Sequence, residues 1–528
     1  MPSDCITFQN SGYFSEIIID YLNQSEKVKP FYNHFPTLEN FKLQIEEKQN
    51  FCSENRKILT QALQHQHEGF AITEATQKNI ELLNQKQTFT ITTGHQLSLF
   101  TGHLYFVYKI ISVIKLCKQL KEQYPNNDFV PVYWMATEDH DFDEINHFLL
   151  HDKKIVWNKS LSGAVGEFDT NGLDEVLKVL STELGISANA QYLKDLFEKS
   201  YLKHQNLAAA TRYLVNELFS DYGLVILDGN DKNLKRLFAP YIRQELQNQV
   251  SFTKVSETLN SFPYTVQVNP REINLFYLDK NLRERIIKEN DTYVINNTKL
   301  KFSESELLDI LESHPEKFSP NVIMRPLYQE VILPNLCYVG GGGELAYWLE
   351  LKAFFDEVKV PFPMLLLRNS VVLVSEKQNR KREKLKLSFE DLFEKQSKLV
   401  ERKAREFSEI AIDFMELKTQ LQKQFDLLKA AISKTDKSFE GAVNAQEKKQ
   451  IKGLENLEKR LVKANKKYFS EQLNHIISLQ NELFPNQSLQ ERQNNFAEYY
   501  SEYGDRFFEK LFEELDPLAQ NFNIVVFD

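Results

Sequence analysis

The runs TFTITTGHQLSLFTGHLY (residues 88–105) and VPVYWMATEDHDFDEINH (residues 130–147) decide how this 528-residue chain is read. Each opens on a β-branched or aromatic stretch that predicts a buried strand, Thr88 to Thr93 and Val130 to Ala136, and each runs into a polar loop. After the first loop, Phe100-Thr101-Gly102-His103 opens a predicted helix to Leu120. After the second strand, seven ionisable side chains fall within the eleven residues from Thr137 to His147. So dense a charge cluster behind a buried strand is costly without a partner, and in open parallel sheets the loops beyond the carboxyl ends of the strands hold the ligand. Asp139, His140, Asp141 and Asp143 are therefore expected to bind or deprotonate an amine, or to hold a cation for it. His147 follows about two turns on if the loop becomes helical. The plainer alternative is a solvated loop with an Asp N-cap. A zinc hydrolase site is a weak match, because His140 and His147 lack the HExxH spacing.

Outward from this centre, residues 1–87 read as mainly helical and Gly172 to Phe219 as a group of helices. Between them, His151 to Ser160 reads as a further strand. Gly223 to Gly229, followed by a helix from Leu234, makes a third strand-loop-helix unit, so the fold class is α/β with a doubly wound, Rossmann-type core. Residues 261–300 shift to short alternating runs, as an inserted small β region would. In Phe318 to Glu330, the side chains Asn321, Arg325, Gln329 and Glu330 stand on an apolar background and are expected to orient a polar substrate. A strand at Leu336 to Val339 runs into Gly340-Gly341-Gly342-Gly343 and a helix from Glu344 to Phe355. Such a loop lets backbone N–H groups approach an anion, although its spacing matches neither GxGxxG nor a Walker loop. Gly94-His95-Gln96 and Thr101-Gly102-His103 are expected to hold phosphate or carboxylate at the mouth of the first helix, with a plain Thr101 N-cap as the alternative. A last core strand, Met364 to Leu367, ends at Arg368.

From Glu376 the composition turns to charged helix. Phe407, Ile410, Phe414, Leu417, Leu421 and Leu428 form one apolar seam, and Leu454, Leu457, Leu461, Ala464 and Tyr468 another, with a turn at Ser433 to Gln446. The expected domains are thus a core over 1–375, helical near 150–220 and mixed near 250–315, an antiparallel coiled-coil hairpin over 376–480, and a segment docking back over 481–528. Residues 376–480 carry 24 basic and 17 acidic side chains, a net +7, while the rest of the chain carries −17 of the overall −10. An acidic body argues against general binding to nucleic acid. Four scattered cysteines without a CxxC pair fit the cytoplasm, and Met1-Pro2-Ser3-Asp4 starts no signal peptide. No membrane span is expected, since Lys109 and Lys115 interrupt one apolar run and Arg368, Asn369 and Ser370 the other.

Taken together, Thr93 to Tyr105, Glu138 to His147, Ser319-Pro320-Asn321 with Arg325-Pro326, and Gly340 to Trp348 resemble the cysteine-adding enzyme family of bacillithiol biosynthesis, over essentially the whole chain. The sequence departs from that family's pattern at His95 and His103, where Gln and Pro are expected. The resemblance implies a Rossmann-type core, a coiled coil that supports a homodimer, and amide formation between the carboxyl of cysteine and the amino group of glucosaminyl-malate. A carboxylate is inert toward amines, so activation by ATP with Mg²⁺ is expected. The roles then expected are Asp141 or His140 as base, with Asp139 and Asp143 positioning the amine or a metal whose own ligands stay unknown. Gln96, Tyr105, His147, Asn321, Arg325, Gln329, Glu344 and Tyr347 would bind substrate, Arg325 pairing with a malate carboxylate. Gly94, His95, Thr101, Gly102, His103 and Gly340 to Gly343 would bind phosphate or nucleotide. The rival readings are a synthetase-like enzyme that binds RNA or transfers nucleotidyl groups, and a coiled-coil assembly protein.

Overall fold

Five parallel strands form the centre of the chain, in the spatial order Met364–Leu367, Asn335–Gly340, Thr88–His95, Asp128–Met135 and Val225–Asp228. The computed structural model describes residues 4–408, 413–432 and 437–527. Thr88–His95 and Asp128–Met135 are each buried over seven of their eight residues, which is why they read as β-branched and aromatic runs without alternation. The chain winds outward from Thr88–His95 to Val225–Asp228 and then restarts on the other side at Asn335–Gly340. The winding reverses between Thr88–His95 and Asn335–Gly340, and a crevice opens there beyond the carboxyl ends. Gly94 pairs with Trp134 and His95 with Met135, so both signature loops leave the sheet at the same level.

The first crossover helix is Tyr105–Gln123, with twelve of nineteen residues buried, Lys109 among them. It does not start at Phe100. Leu99–Thr101 is a tight turn in which Phe100, Thr101 and Gly102 all take positive φ, of 49°, 68° and 64°. The helix expected over Glu344 to Phe355 is also divided, into Gly342–Trp348, a tight turn at Leu349–Leu351, and Lys352–Val358. The break carries Glu350, whose buried carboxylate accepts hydrogen bonds from the backbone of Gln267 (2.6 Å) and Val268 (3.1 Å). Between Ile145 and Trp157 the acidic loop does not lengthen into helix. Phe142–Ile145 is a single turn, and His147–Leu150 pairs antiparallel with Lys153–Val156. The strand expected at His151 to Ser160 is therefore the second arm of a hairpin that His147 begins.

The inserted β region is an antiparallel sheet in the order Lys301–Ser303, Thr292–Ile295, Leu282–Glu289, Leu275–Asp279, Phe318–Pro320. Its last strand hands the chain directly to Asn321 and the Met324–Ile332 helix. Near the C-terminus, Asn521–Phe527 forms a strand whose first residues pair antiparallel with Asp4–Thr7.

The chain divides into two compact units, essentially Tyr13–Val372 with Gln490–Val525, and Leu373–Leu489. In the second, helices Met415–Ile432 and Lys437–Tyr468 run antiparallel, as the ion pairs Lys429–Glu447 (2.5 Å) and Lys418–Glu458 (2.6 Å) require. Two expectations change here. The turn is narrower than Ser433 to Gln446, because Lys437 onward is helical and Val443 is buried; residues 433–436, like Ile410, lie outside the described residues. Leu417, Leu428, Leu457 and Tyr468 of the expected seams are exposed, whereas Phe425, Val443 and Val462 face inward. Glu447 and Glu458 occupy inward positions with their lysine partners, which rotates the seam relative to a purely apolar heptad.

Candidate active site

Beyond the carboxyl ends of the central strands lies a cavity of about 850 Å³, a size suited to a small-molecule substrate. Its floor is built on Gly94. A Cβ there would sit 3.2 Å from the Tyr338 hydroxyl, a tight contact, and 3.7 Å from Arg325, so the glycine lets the strand pass close to both. The Gly94 carbonyl accepts from Lys109 Nζ (2.8 Å), and the same ammonium pairs with Glu344 Oε2 at 2.5 Å. Glu344 also accepts from the Gly341 N–H (2.8 Å) and the Tyr338 hydroxyl (2.7 Å). Burial opposes ionisation of Glu344, but Lys109 and these donors outweigh it and hold the carboxyl below its ordinary value. Burial likewise lowers Lys109, against the pull of Glu344. The glycine loop thus has one backbone donor already taken by an internal carboxylate.

Arg325 forms one wall. Its Nη1 donates to Gln329 Oε1 (3.1 Å), its guanidinium lies 5.5 to 6.0 Å from the Trp134, Tyr338 and Trp348 rings and interacts with the Tyr347 hydroxyl, and its Nη2 is buried without a hydrogen-bond partner. Behind it, Gln329 donates to Glu330 (3.0 Å), which is paired with Lys48 at 2.8 Å and accepts from Asn335 (2.6 Å). Gln329 and Glu330 do not reach the cavity; they hold Arg325. Asn321 lines the cavity while its side chain caps the Met324–Ile332 helix and donates to Asn274 (2.8 Å).

Acidic side chains form another part of the lining. Gln96 Nε2 donates to Asp139 (2.9 Å) and Glu144 (2.8 Å), and Arg283 reaches from the inserted sheet to His140 Nδ1 (2.6 Å). Burial would raise the Asp139 carboxyl, but His140, Gln96 and Arg283 together hold it well below the usual carboxylate range. Glu138 pairs with the buried Lys235 at 3.1 Å and keeps its second oxygen buried without a partner.

Of the side chains singled out from the sequence, Asp139, His140, Gln96, Tyr105, Asn321, Arg325, Glu344 and Tyr347 line the cavity, with Gly94, His95, Gly341 and Gly343. His95 presents a buried, partnerless Nε2, and burial keeps its ring well below the ordinary imidazole value. Asp141, Asp143, His147, Gln329, Thr101, Gly102, His103, Gly340 and Gly342 do not line it. Asp141 is exposed and accepts from Glu144 N (3.2 Å) as the N-cap of Phe142–Ile145. Sequence reading missed Glu138, Glu144 and most of the cations, namely Lys109, Arg271, Arg283, Arg285, Arg368 and Arg492. A lysine inside an otherwise apolar helix was the one local signal, and for Lys109 it read only as an interruption. With Arg325 there are seven cationic side chains against four carboxylates, so the cavity favours an anionic ligand. Among the described residues no group of three or more His, Cys, Asp or Glu is arranged to hold a metal ion, and no helix is long and apolar enough to cross a membrane.

Burial pushes the Glu350 carboxyl up to about 7 from its ordinary 4.5, against the two backbone donors in the cavity wall. A carboxyl raised on folding adds stability that is fully present below the unfolded value and is lost as pH rises through the folded one. The wild type should therefore lose about 2–3 kcal/mol from this group between about pH 5 and pH 8. Glu350→Gln should flatten that slope in thermal unfolding, and identical slopes would show that Glu350 is ionised throughout.

The family model described as bacillithiol biosynthesis BshC, N-terminal Rossmann-like domain, matches residues 1–369, and the BshC C-terminal coiled-coil domain matches residues 371–527. A relative from Flavobacterium psychrophilum is 59% identical over 99% of both chains. One from Flavobacterium johnsoniae is 59% identical over 99% of this chain and 100% of its own, and one from Christiangramia forsetii 54% over 100% and 99%. All three bear the name "Putative cysteine ligase BshC". With both of its units matched and relatives of this identity along its whole length, the chain belongs to the bacillithiol biosynthesis BshC family.

Proposed function

We propose that the protein is a carbon–nitrogen ligase that joins the carboxyl of L-cysteine to the amino group of glucosaminyl-malate. The observation that carries this reading is that one cavity is lined both by Arg325, whose Nη2 has no hydrogen-bond partner, and by the carboxylates of Glu138, Asp139 and Glu144. The first suits a malate carboxylate, and the second an ammonium that must be held and deprotonated. Glu138, with a free buried oxygen, is the best-placed acceptor for that proton, and the neutral His95 Nε2 is the next. Asp141, capping its own helix turn in solvent, is less suited to the base role.

ATP with Mg²⁺ supplies the activation of the cysteine carboxyl in this reading. The cationic side chains Lys109, Arg271 and Arg285 fit its phosphates, and Mg²⁺ needs only one or two protein carboxylates beside phosphate oxygens. The substrates are small molecules, the compartment is the cytoplasm, and the coiled coil supports a homodimer.

The test is mass spectrometry of the protein incubated with cysteine, glucosaminyl-malate and Mg²⁺, with and without ATP. The amide product should form only with ATP. Product without nucleotide would remove the ATP step, and no product with any nucleotide would overturn the ligase reading.

A further inference from the structure

The segment that follows the coiled coil in sequence, Gln490 to Asn495, belongs to the same compact unit as the cavity. Glu491 is fully buried there. It accepts from Arg368 Nη2 (2.7 Å), Ser370 Oγ (3.3 Å) and the Val371 N–H (3.1 Å). Arg368 in turn lies over the Tyr105 ring, 4.9 Å from its centroid, lines the cavity, and keeps its Nε buried without a partner. Four residues on, Asn495 donates to the carbonyls of Phe100 (2.8 Å) and Gly102 (2.6 Å), and Leu104 N donates to the Asn494 carbonyl (2.8 Å). These bonds brace the positive-φ turn that launches the helix carrying Tyr105 and Lys109, a turn costly for non-glycine residues unless held from outside. Between these two anchors stands Arg492, exposed, lining the cavity, and in no ion pair among the described residues. A guanidinium fixed at a rim by buried anchors on both sides of it in the chain, yet left without a counter-charge, is arranged to meet an anion from solution.

We propose that this return segment completes the binding site. Arg492 receives a carboxylate of the amine substrate at the rim, and Glu491 is the positioning residue that aims Arg368 into the cavity. The proposal rests on the ligase reading, because it takes the anionic ligand to be the malate-bearing amine. It makes the C-terminal segment part of the site although more than 100 residues of coiled coil separate it from Arg368.

The experiment is calorimetric titration of the full-length protein with glucosaminyl-malate at several salt concentrations. Arg492→Ala, on an exposed side chain, should fold normally, weaken binding about tenfold or more, and make the dependence of affinity on salt shallower. Arg492→Lys should restore the salt dependence and part of the affinity. Glu491→Gln, which keeps shape and loses charge, should raise KM for glucosaminyl-malate and leave KM for cysteine unchanged, a split that a general loss of stability would not produce. If Arg492→Ala and Glu491→Gln bind within about twofold of wild type while Arg325→Ala loses binding, the return segment has no such role and the ligase reading stands. If the wild type itself does not bind glucosaminyl-malate, the ligase reading fails and this assignment falls with it.

Discussion

Lys48→Met is expected to destabilise the catalytic unit by about 3–5 kcal/mol, the usual cost of removing one partner from a buried ion pair. The lysine and Glu330 have side chains 3% and 0% exposed, so no solvent replaces the lost ammonium. Glu330 would be left ionised in the core with only the amides of Gln329 and Asn335 to stabilise it, or would take up a proton. The double variant Lys48→Met/Glu330→Gln should recover much of the loss, since Gln keeps an acceptor for those amides and carries no charge. Calorimetric unfolding of the two variants decides the matter. A Lys48→Met protein within about 1 kcal/mol of wild type would mean that the pair does not carry charge in the fold.

The second large effect is expected at Arg325, the residue this buried pair supports. Arg325→Lys should cost about 2–4 kcal/mol of transition-state binding, or about 30- to 1000-fold in kcat/KM for glucosaminyl-malate. A lysine donates from one nitrogen only, so its ammonium does not span from Gln329 to the cavity in the fixed fork that the planar guanidinium forms with Nη1 and Nη2. Three aromatic rings surround the site, so the lysine would also lose cation–π contact. Thermal stability should change little by comparison, because the relay from Lys48 to Gln329 remains. Unaltered kcat/KM in Arg325→Lys would show that the substrate carboxylate binds elsewhere and would move attention to Arg368 and Arg492.

The doubly wound core was legible in the chain because strands buried on both faces must be continuously apolar, and Thr88–His95, Asp128–Met135 and Met364–Leu367 are so. The loops marked where those strands end, while the spatial order of the strands came only from their pairing. Of the acidic loop, Asp139 and His140 line the cavity.

Sequence alone could not rank the members of that loop. Asp141 and Asp139 are two residues apart and chemically alike, yet one caps a helix turn in solvent and the other meets Gln96 and Arg283. The difference lies in which way the chain turns after Ala136, and that is set by packing of the inserted sheet and of the His147–Leu150 hairpin. Part of the coiled-coil seam was misplaced for a related reason. Periodicity counts apolar residues, whereas the inward face carries Glu447 and Glu458, neutralised by lysines of the facing helix.

What the sequence by itself determined was the class of fold and the family, because these depend on local pattern. What only the tertiary structure decided was the charge of the site. Lys109, Arg283, Arg325, Arg368 and Arg492 come from five separate parts of the chain and converge on one cavity. An isolated arginine carries no sign of its partners, and long-range packing alone leaves the Nη2 of Arg325 and the Nε of Arg368 buried and unpaired, ready for an anion.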